Sequence, residues 1–348
     1  MKAIRLTCKA LLIMALSLSV TACNVGDTII EIASYCFTAV IIGGIYYGIV
    51  YGIGSAIESI QNKSKFRSYR KAAMFGDAYS QYKLGQCYYN GTGVTQDYEE
   101  ATRWYSMAAE QGFSSPQFAE ALNNLGVCYD NGEGVPQNLE EAVKWYRKAA
   151  EQGNAVAQYN LGYSYDNGEG VEQNLEEAVK WYRKAAEQGN KWAQNNLGVC
   201  YDNGKGVPQN KEEAAKWYRK AAEQGHAGAQ NSLGWYYYEQ GKPELGLPYA
   251  EQSVKTDANE ASWDTLGRIY YDLGRYEDCI TAMTKCAAIP NCSTLQIAYE
   301  YIGNSYNKLG NEDEGSQWLE KAKYQAGWTT MPPAPTGAAR GECPRGVR

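Results

Sequence analysis

Three groups of residues in this sequence have the types and spacing to do chemistry. The first is a set of thiols. Cys87, Cys128 and Cys200 each stand three residues after a leucine, in LGQCYYNGTG, LGVCYDNGEG and LGVCYDNGKG. A thiol, acidic neighbours and two glycines would suit a metal loop, a phosphate cradle or a redox site. The second group is Cys279, Cys286 and Cys292. In an oxidising compartment a Cys286–Cys292 or Cys279–Cys292 bridge would form, because Asn291-Cys292 sits in a segment that can fold back. The third is Ser68-Tyr69-Arg70-Lys71, which has the S-x-x-K form of an acylating serine. His226 is the single histidine, which argues against His-based catalysis and against a multi-His metal site. It is expected at the surface, at a helix start.

The chain tests these readings on itself. The leucine-glycine segment recurs at Leu84, Leu125, Leu161 and Leu197, at spacings of 41, 36 and 36 residues, and a fixed period is the mark of a repeat architecture. The position of the thiol holds Ser164, Tyr236, Ile269 and Ser305 in other copies. A site that accepts Ser, Tyr and Ile is a packing site. Glu133 becomes Lys205 or Thr92, which removes a fixed cation ligand. The glycines fit neither G-x-G-x-x-G nor G-x-x-x-x-G-K after a strand, so they cradle no phosphate. An EF-hand frame is not met either. The S-x-x-K motif lacks the Ser-Asp-Asn and Lys-Thr-Gly elements that a serine β-lactamase needs. No enzymatic activity, cofactor or metal is expected.

Two helices account for each repeat. Ala157, Leu161, Gly162 and Tyr165 share one face at a period of 3.6, and so do Ala178, Trp181, Tyr182, Ala185 and Ala186. Small residues at Gly162 and Ala185 imply close helix–helix contact, with Leu161, Tyr165 and Trp181 filling the space between. Asn174 and Glu177 form a capping box at the start of the second helix, and Gly189 ends that helix in a left-handed conformation. Gly132 ends a first helix in the same way, Gly134 turns the chain back, and Asn138 caps the helix that follows.

The patterns A-x-x-L-G-x-x-Y-x-x-G-x-G-V and A-x-x-W-Y-x-x-A-A-x-x-G recur in step four times. They resemble the Sel1-like repeat family, tetratricopeptide-type α-solenoids. The resemblance covers about residues 69–235. Through 236–326 the loop shortens, and LGWYYYEQGKPELG, LGRIYYDLGRYEDC and IGNSYNKLGNEDEG look like ordinary tetratricopeptide units. The expected fold is all-α, one solenoid of helix-loop-helix repeats from about 69 to 326. The tail 327–348, rich in Pro, Gly and Ala, is expected to be disordered.

Residues 1–22 read as a targeting signal. Lys2, Arg5 and Lys9 precede the apolar run 10–20, and Val20-Thr21-Ala22-Cys23 resembles a bacterial lipobox. That resemblance implies lipid on Cys23, with Asn24 favouring the outer membrane. Within 23–62, the stretch 33–57 is uncharged and long enough to cross a bilayer. Gly44, Gly48 and Gly52 lie on one face of it and would allow self-association. The basic residues Lys63, Lys65, Arg67, Arg70 and Lys71 pull the other way, towards an inner-membrane protein with cytoplasmic repeats. The lipobox places the repeats in the periplasm, and that is the expectation adopted.

A net charge of −6 argues against a nucleic-acid partner. In such solenoids the first helix of each unit lines the concave face, so positions two before and two after each leucine should face inward. With helix starts and ends they comprise Tyr82, Asn123, Tyr159, Tyr163, Trp192, Asn195, Asn231, Trp235, Asp130, Asp166 and Asp202. A ribbon of these types suits the backbone of an extended peptide, or sugars. The expected function is a non-enzymatic scaffold or adaptor anchored in the bacterial cell envelope. A polysaccharide or peptidoglycan binder is the alternative, and a periplasmic hydrolase of β-lactamase type is a weaker third.

Overall fold

The computed structural model describes residues 58–111 and 116–328. Cys23, the apolar stretch 33–57 with Gly44, Gly48 and Gly52, and the tail from 329 lie outside the described residues. Among the described residues there are fifteen α-helices and no strand. They are α1 (58–74), α2 (Ala78–Asn90), α3 (Tyr98–Glu110), α4 (Pro116–Asn131), α5 (Leu139–Glu151), α6 (Ala155–Asn167), α7 (Leu175–Glu187) and α8 (Lys191–Asn203). Then follow α9 (Lys211–Glu223), α10 (Ala227–Glu239), α11 (Pro243–Thr256), α12 (Glu260–Asp272), α13 (Tyr276–Ala287), α14 (Leu295–Lys308) and α15 (Glu312–Trp328). No described helix is long and apolar enough to cross a membrane.

Two compact units divide the chain. One comprises residues up to 113 with 131–136, the other 114–130 with 137 onward. In the first, α2 and α3 pair, and Tyr82 packs on Tyr105 with ring centroids 6.2 Å apart. In the second, each helix from α6 to α15 packs on the next, and the first helices α10, α12 and α14 also lie side by side.

One repeat shows why the sequence folds this way. Asn154 caps α6 by accepting the Ala157 N–H, and Asn174 caps α7 by accepting the Glu177 N–H, each cap contributing about 1 kcal/mol. Between the helices Gly168 takes a left-handed φ of 72° and donates its N–H to the Ser164 carbonyl. Gly170 follows at φ 70°, and a Cβ there would run into the Leu139 carbonyl oxygen at the start of α5. The second glycine of each loop therefore seats it on the previous repeat. Leu161, Leu197 and Leu233 are fully buried, each stabilising by about 1.5–3 kcal/mol.

The close approach at Gly162 differs from the expected pairing with Ala185. A Cβ on Gly162 would lie 2.8 Å from the Tyr182 ring and 3.2 Å from the Ala178 carbonyl oxygen. The glycine makes room for an aromatic ring, and Gly126 and Gly198 do the same for Tyr146 and Tyr218.

A polar ladder links the repeats, and its register is absent from the hydrophobic pattern. Gln158, Gln194 and Gln230 are buried, and each donates Nε2 to a carbonyl of the preceding helix, at Ala150, Ala186 and Ala222. Their Oε1 atoms accept in turn from Gln188 at 2.7 Å, Gln224 at 2.8 Å and the Thr256 hydroxyl at 3.1 Å. In the first unit Gln111 donates to Gln81 in the same way. Arg147, Arg183 and Arg219 make a second, outer ladder to the hydroxyls of Tyr165, Tyr201 and Tyr237.

Candidate functional site

Buried thiols fill space in this structure. Cys87, Cys128 and Cys200 are buried, and burial pushes the Cys200 thiol up to about 12. Among the described residues no group of three His, Cys, Asp or Glu side chains is placed to hold a metal ion.

The proposed ribbon separates into parts with different environments. Tyr82 is only 2% exposed and Asn123 is buried, so neither presents a surface. Tyr82 supports the α2–α3 pair, and Asn123 Oδ1 accepts from Asn160 Nδ2 at 3.1 Å. Asp130, Asp166 and Asp202 are half-buried at the ends of first helices, each accepting the hydroxyl of a tyrosine on the second helix. The distances are 3.2 Å from Tyr146, 3.2 Å from Tyr182 and 3.5 Å from Tyr218. These carboxylates close the helix pair. Tyr159 lies against Tyr182 and Tyr163, and burial, then the neighbouring Tyr163, push its hydroxyl up to about 12. Tyr163 is exposed, while Trp192 and Asn195 are half-buried.

His226 departs from its expected surface position. It is the N-cap of α10, 8% exposed, with Nδ1 accepting the Ala229 N–H at 3.1 Å. Its ring meets Trp192 edge-on, centroids 4.4 Å apart. Burial, then the charge of Lys191, lower its pKa to about 4. The position holds Asn154 and Asn190 in the preceding repeats, so a cap was legible there even though its burial was not.

Asp202, Asn231 and Trp235 do converge. With Ser232, the α12 residues Glu260, Ala261, Asp264 and Thr265, and Asn259, Ser293 and Thr294, they line an open cleft of about 640 Å³. The cleft follows from the repeat geometry, since α10, α12 and α14 are first helices of successive units. Glu260 anchors its rim. Its Oε1 accepts from the Ser293 hydroxyl at 2.6 Å, the Thr294 N–H at 2.8 Å and the Thr294 hydroxyl at 3.1 Å. Burial works against its charge, but these bonds outweigh it and hold the carboxyl below its ordinary range. Asp264 pairs through Oδ2 with Arg268 Nε at 2.9 Å. Burial still raises its pKa, against the opposing effect of Arg268. The Arg268 guanidinium lies over the rings of Trp235 and Tyr301.

Glu260, Asp264 and Arg268 were not among the residues picked from the sequence. A signal existed for two of them. Asp264 and Arg268 stand two before and two after Leu266, the same register that selects Asn231 and Trp235 about Leu233.

Beside this cleft lie the cysteines. Cys286 and Cys292 have their sulfurs 3.9 Å apart, unbridged, while Cys279 is buried elsewhere on α13. Asn291, at φ 59°, turns the chain so that Cys292 faces back. The Cys286–Cys292 pairing is thus the one whose sulfurs lie close.

These helices and this cleft define a repeat protein of helix-loop-helix units, a class that acts by displaying a surface. A model of the Sel1 repeat matches residues 78–113, 119–154, 155–190, 193–226 and 227–251, and one of the tetratricopeptide repeat matches 261–291. A solved protective antigen present in uropathogenic Escherichia coli strains, displaying an SLR fold, is 34% identical with a TM-score of 0.61. That match covers 75% of this chain and 56% of the antigen, so the chain spans little more than half that relative's length. A Sel1 repeat protein from Oxalobacter formigenes is 30% identical with a TM-score of 0.53, covering 78% of this chain and 99% of that one. Comparison with curated proteins gives no match. The chain belongs to the Sel1 repeat family.

Proposed function

We propose that this protein is a non-enzymatic adaptor of the bacterial cell envelope that docks protein partners in the cleft between α10 and α12. The observation that carries the reading is the cleft itself, an open groove with an indole wall and several hydrogen-bonding groups, set on adjacent first helices. Folds of this type commonly act by mediating protein–protein interaction. Anchoring rests on the sequence, on Cys23 for lipid and on 33–57 as a second membrane contact, with the repeats periplasmic and the outer membrane favoured. The arrangement with the protein in the inner membrane and its repeats in the cytoplasm is the alternative.

Pull-down with wild type and with Asn231→Ala/Trp235→Ala, both in the cleft lining, tests the docking claim. Loss of a defined partner subset is expected, and identical partner sets overturn it. The exposed Tyr163 ring keeps one other reading in view, a polysaccharide binder. Sedimentation with purified cell wall separates the two, since an adaptor stays in the supernatant. Palmitate labelling of Cys23, with protease access to the repeats in spheroplasts, tests the anchor. Absence of both overturns the lipid-anchored, periplasmic placement in favour of the inner-membrane alternative.

A further inference from the structure

The polar groups lining the α10–α12 cleft are unbalanced. Two side-chain oxygens there, Asn231 Oδ1 and Asp264 Oδ1, are buried and have no hydrogen-bond partner. Asp264 is itself only 8% exposed. Burying an acceptor without a partner is unfavourable, and both residues line the cleft, so a donor that displaces the atoms covering these oxygens would satisfy them. Three carboxylates line the same space, those of Asp202, Glu260 and Asp264, and no lysine or arginine does. Arg268 is spoken for by the second oxygen of Asp264. The first turn of α12 is no free anion site, because Asn259 already accepts the Ser262 N–H and Glu260 stands next to it. Trp235 completes the arrangement. Its indole carries Arg268 over one part of the ring and offers an apolar wall to a methylene stem.

We infer that the cleft between α10 and α12 receives an arginine or lysine side chain of an extended peptide segment of a partner protein, with Asn231 Oδ1 and Asp264 Oδ1 accepting its hydrogen bonds and Trp235 flanking its stem. The inference rests on the adaptor reading and makes its partner chemistry specific. A peptide is the favoured source of the cation because the cleft is open and, at about 640 Å³, holds a side chain together with the backbone on either side of it. An anionic ligand would face Asp202 and Glu260 with no free cation among the lining residues.

Selection of a randomised dodecapeptide library on the full-length chain in detergent tests this. Arg or Lys should be enriched at one position of the retained peptides. Replacing that residue by Gln should weaken binding at least about tenfold, and Asn231→Leu should do the same to the parent peptide. Asp264→Asn, with its fold checked by circular dichroism, keeps an oxygen but removes charge and should shift the preference away from Arg and Lys. Enrichment of acidic or purely apolar residues, or a parent peptide indifferent to Asn231→Leu, overturns the inference. Equal displacement by spermidine at matched concentration would transfer the site to small polyamines and overturn the peptide assignment. If the pull-down partners still depend on Trp235 while no basic position emerges, the cation inference alone falls. If no peptide is retained and the partners ignore Trp235, the docking reading falls with it.

Discussion

His226 makes the stability of this protein depend on pH in a calculable way. Its Nδ1 must keep a lone pair to accept the Ala229 N–H, so protonation removes the cap of α10. The folded pKa is lowered to about 4 from 6.5. Between those values the unfolded chain binds the extra proton, so stability falls as pH falls; it is fully present above 6.5 and lost on approaching 4. At 1.36 kcal/mol per unit, moving from about pH 7.5 to about pH 5 removes about 2 kcal/mol through this residue alone. His226→Asn restores the cap used by Asn154 and Asn190 without a group that titrates there. Urea unfolding of both proteins at the two pH values, followed by circular dichroism, gives the comparison. The wild type should lose about 2 kcal/mol more than the variant on acidification. Acidic groups common to both cancel, and any cost of losing the Trp192 contact offsets both pH values alike. Equal losses in the two proteins would refute the cap and its buried neutral histidine together.

Three further perturbations address the repeat body. Gly162→Ala puts a methyl 2.8 Å from the Tyr182 ring and 3.2 Å from a backbone oxygen; a loss of about 1–3 kcal/mol is expected, read as a lower urea midpoint, and an unmoved midpoint refutes the tight contact. Gln194→Leu removes one of the bonds that the Ala186 carbonyl accepts and one that the Gln224 amide donates, while Gly189 N–H and the Lys220 carbonyl still serve these groups, and should cost about 0.5–1.5 kcal/mol. Leu122 stands at the corresponding position of another copy, so a near-neutral result in the same urea assay would count against the ladder and not against fit. Glutathione disulfide should oxidise Cys286 and Cys292 to one bridged peptide, being itself reduced to two glutathiones. Burial raises the pKa of the Cys286 thiol, so the more exposed Cys292 attacks glutathione disulfide first, releasing one glutathione, and Cys286 then displaces the second. Mass mapping of unreduced digests should find Cys279 still free, and a bridge to Cys279 would refute the pairing.

The helices were legible because the copies repeat their own signals. Asp97, Asn138, Asn174 and Asn210 at the caps and the paired loop glycines mark boundaries four times over, and the buried leucines mark the face. Burial across repeats was harder to read. Tyr82 and Asn123 occupy the same register as Asn231, yet their neighbours cover them, and covering depends on the size of residues one unit away. The aspartates at the helix ends looked available for recognition because their partner, a tyrosine sixteen residues later, comes near only through the helical hairpin. The cleft was half visible. Asn231 and Trp235 came from the leucine register, whereas Asp264 and Arg268 needed that register carried past the point where the loop shortens.

The glutamine ladder bears on how such a chain grows. The rungs at Gln81, Gln158 and Gln194 use the same two residue types at the same offset, so a repeat of this kind presents to its successor the polar contacts that it takes from its predecessor. The segments 139–153 and 175–189 are identical in sequence, as expected of units copied whole. Duplication or deletion of a thirty-six-residue unit that carries the rung glutamine leaves its neighbours with a matching partner, and the array changes length without a new interface having to evolve. Thr256 ends this freedom. By replacing the donor glutamine opposite Gln230, it sets a junction beyond which units are no longer interchangeable, and the cleft lies against that junction, where its geometry is insulated from changes in repeat number.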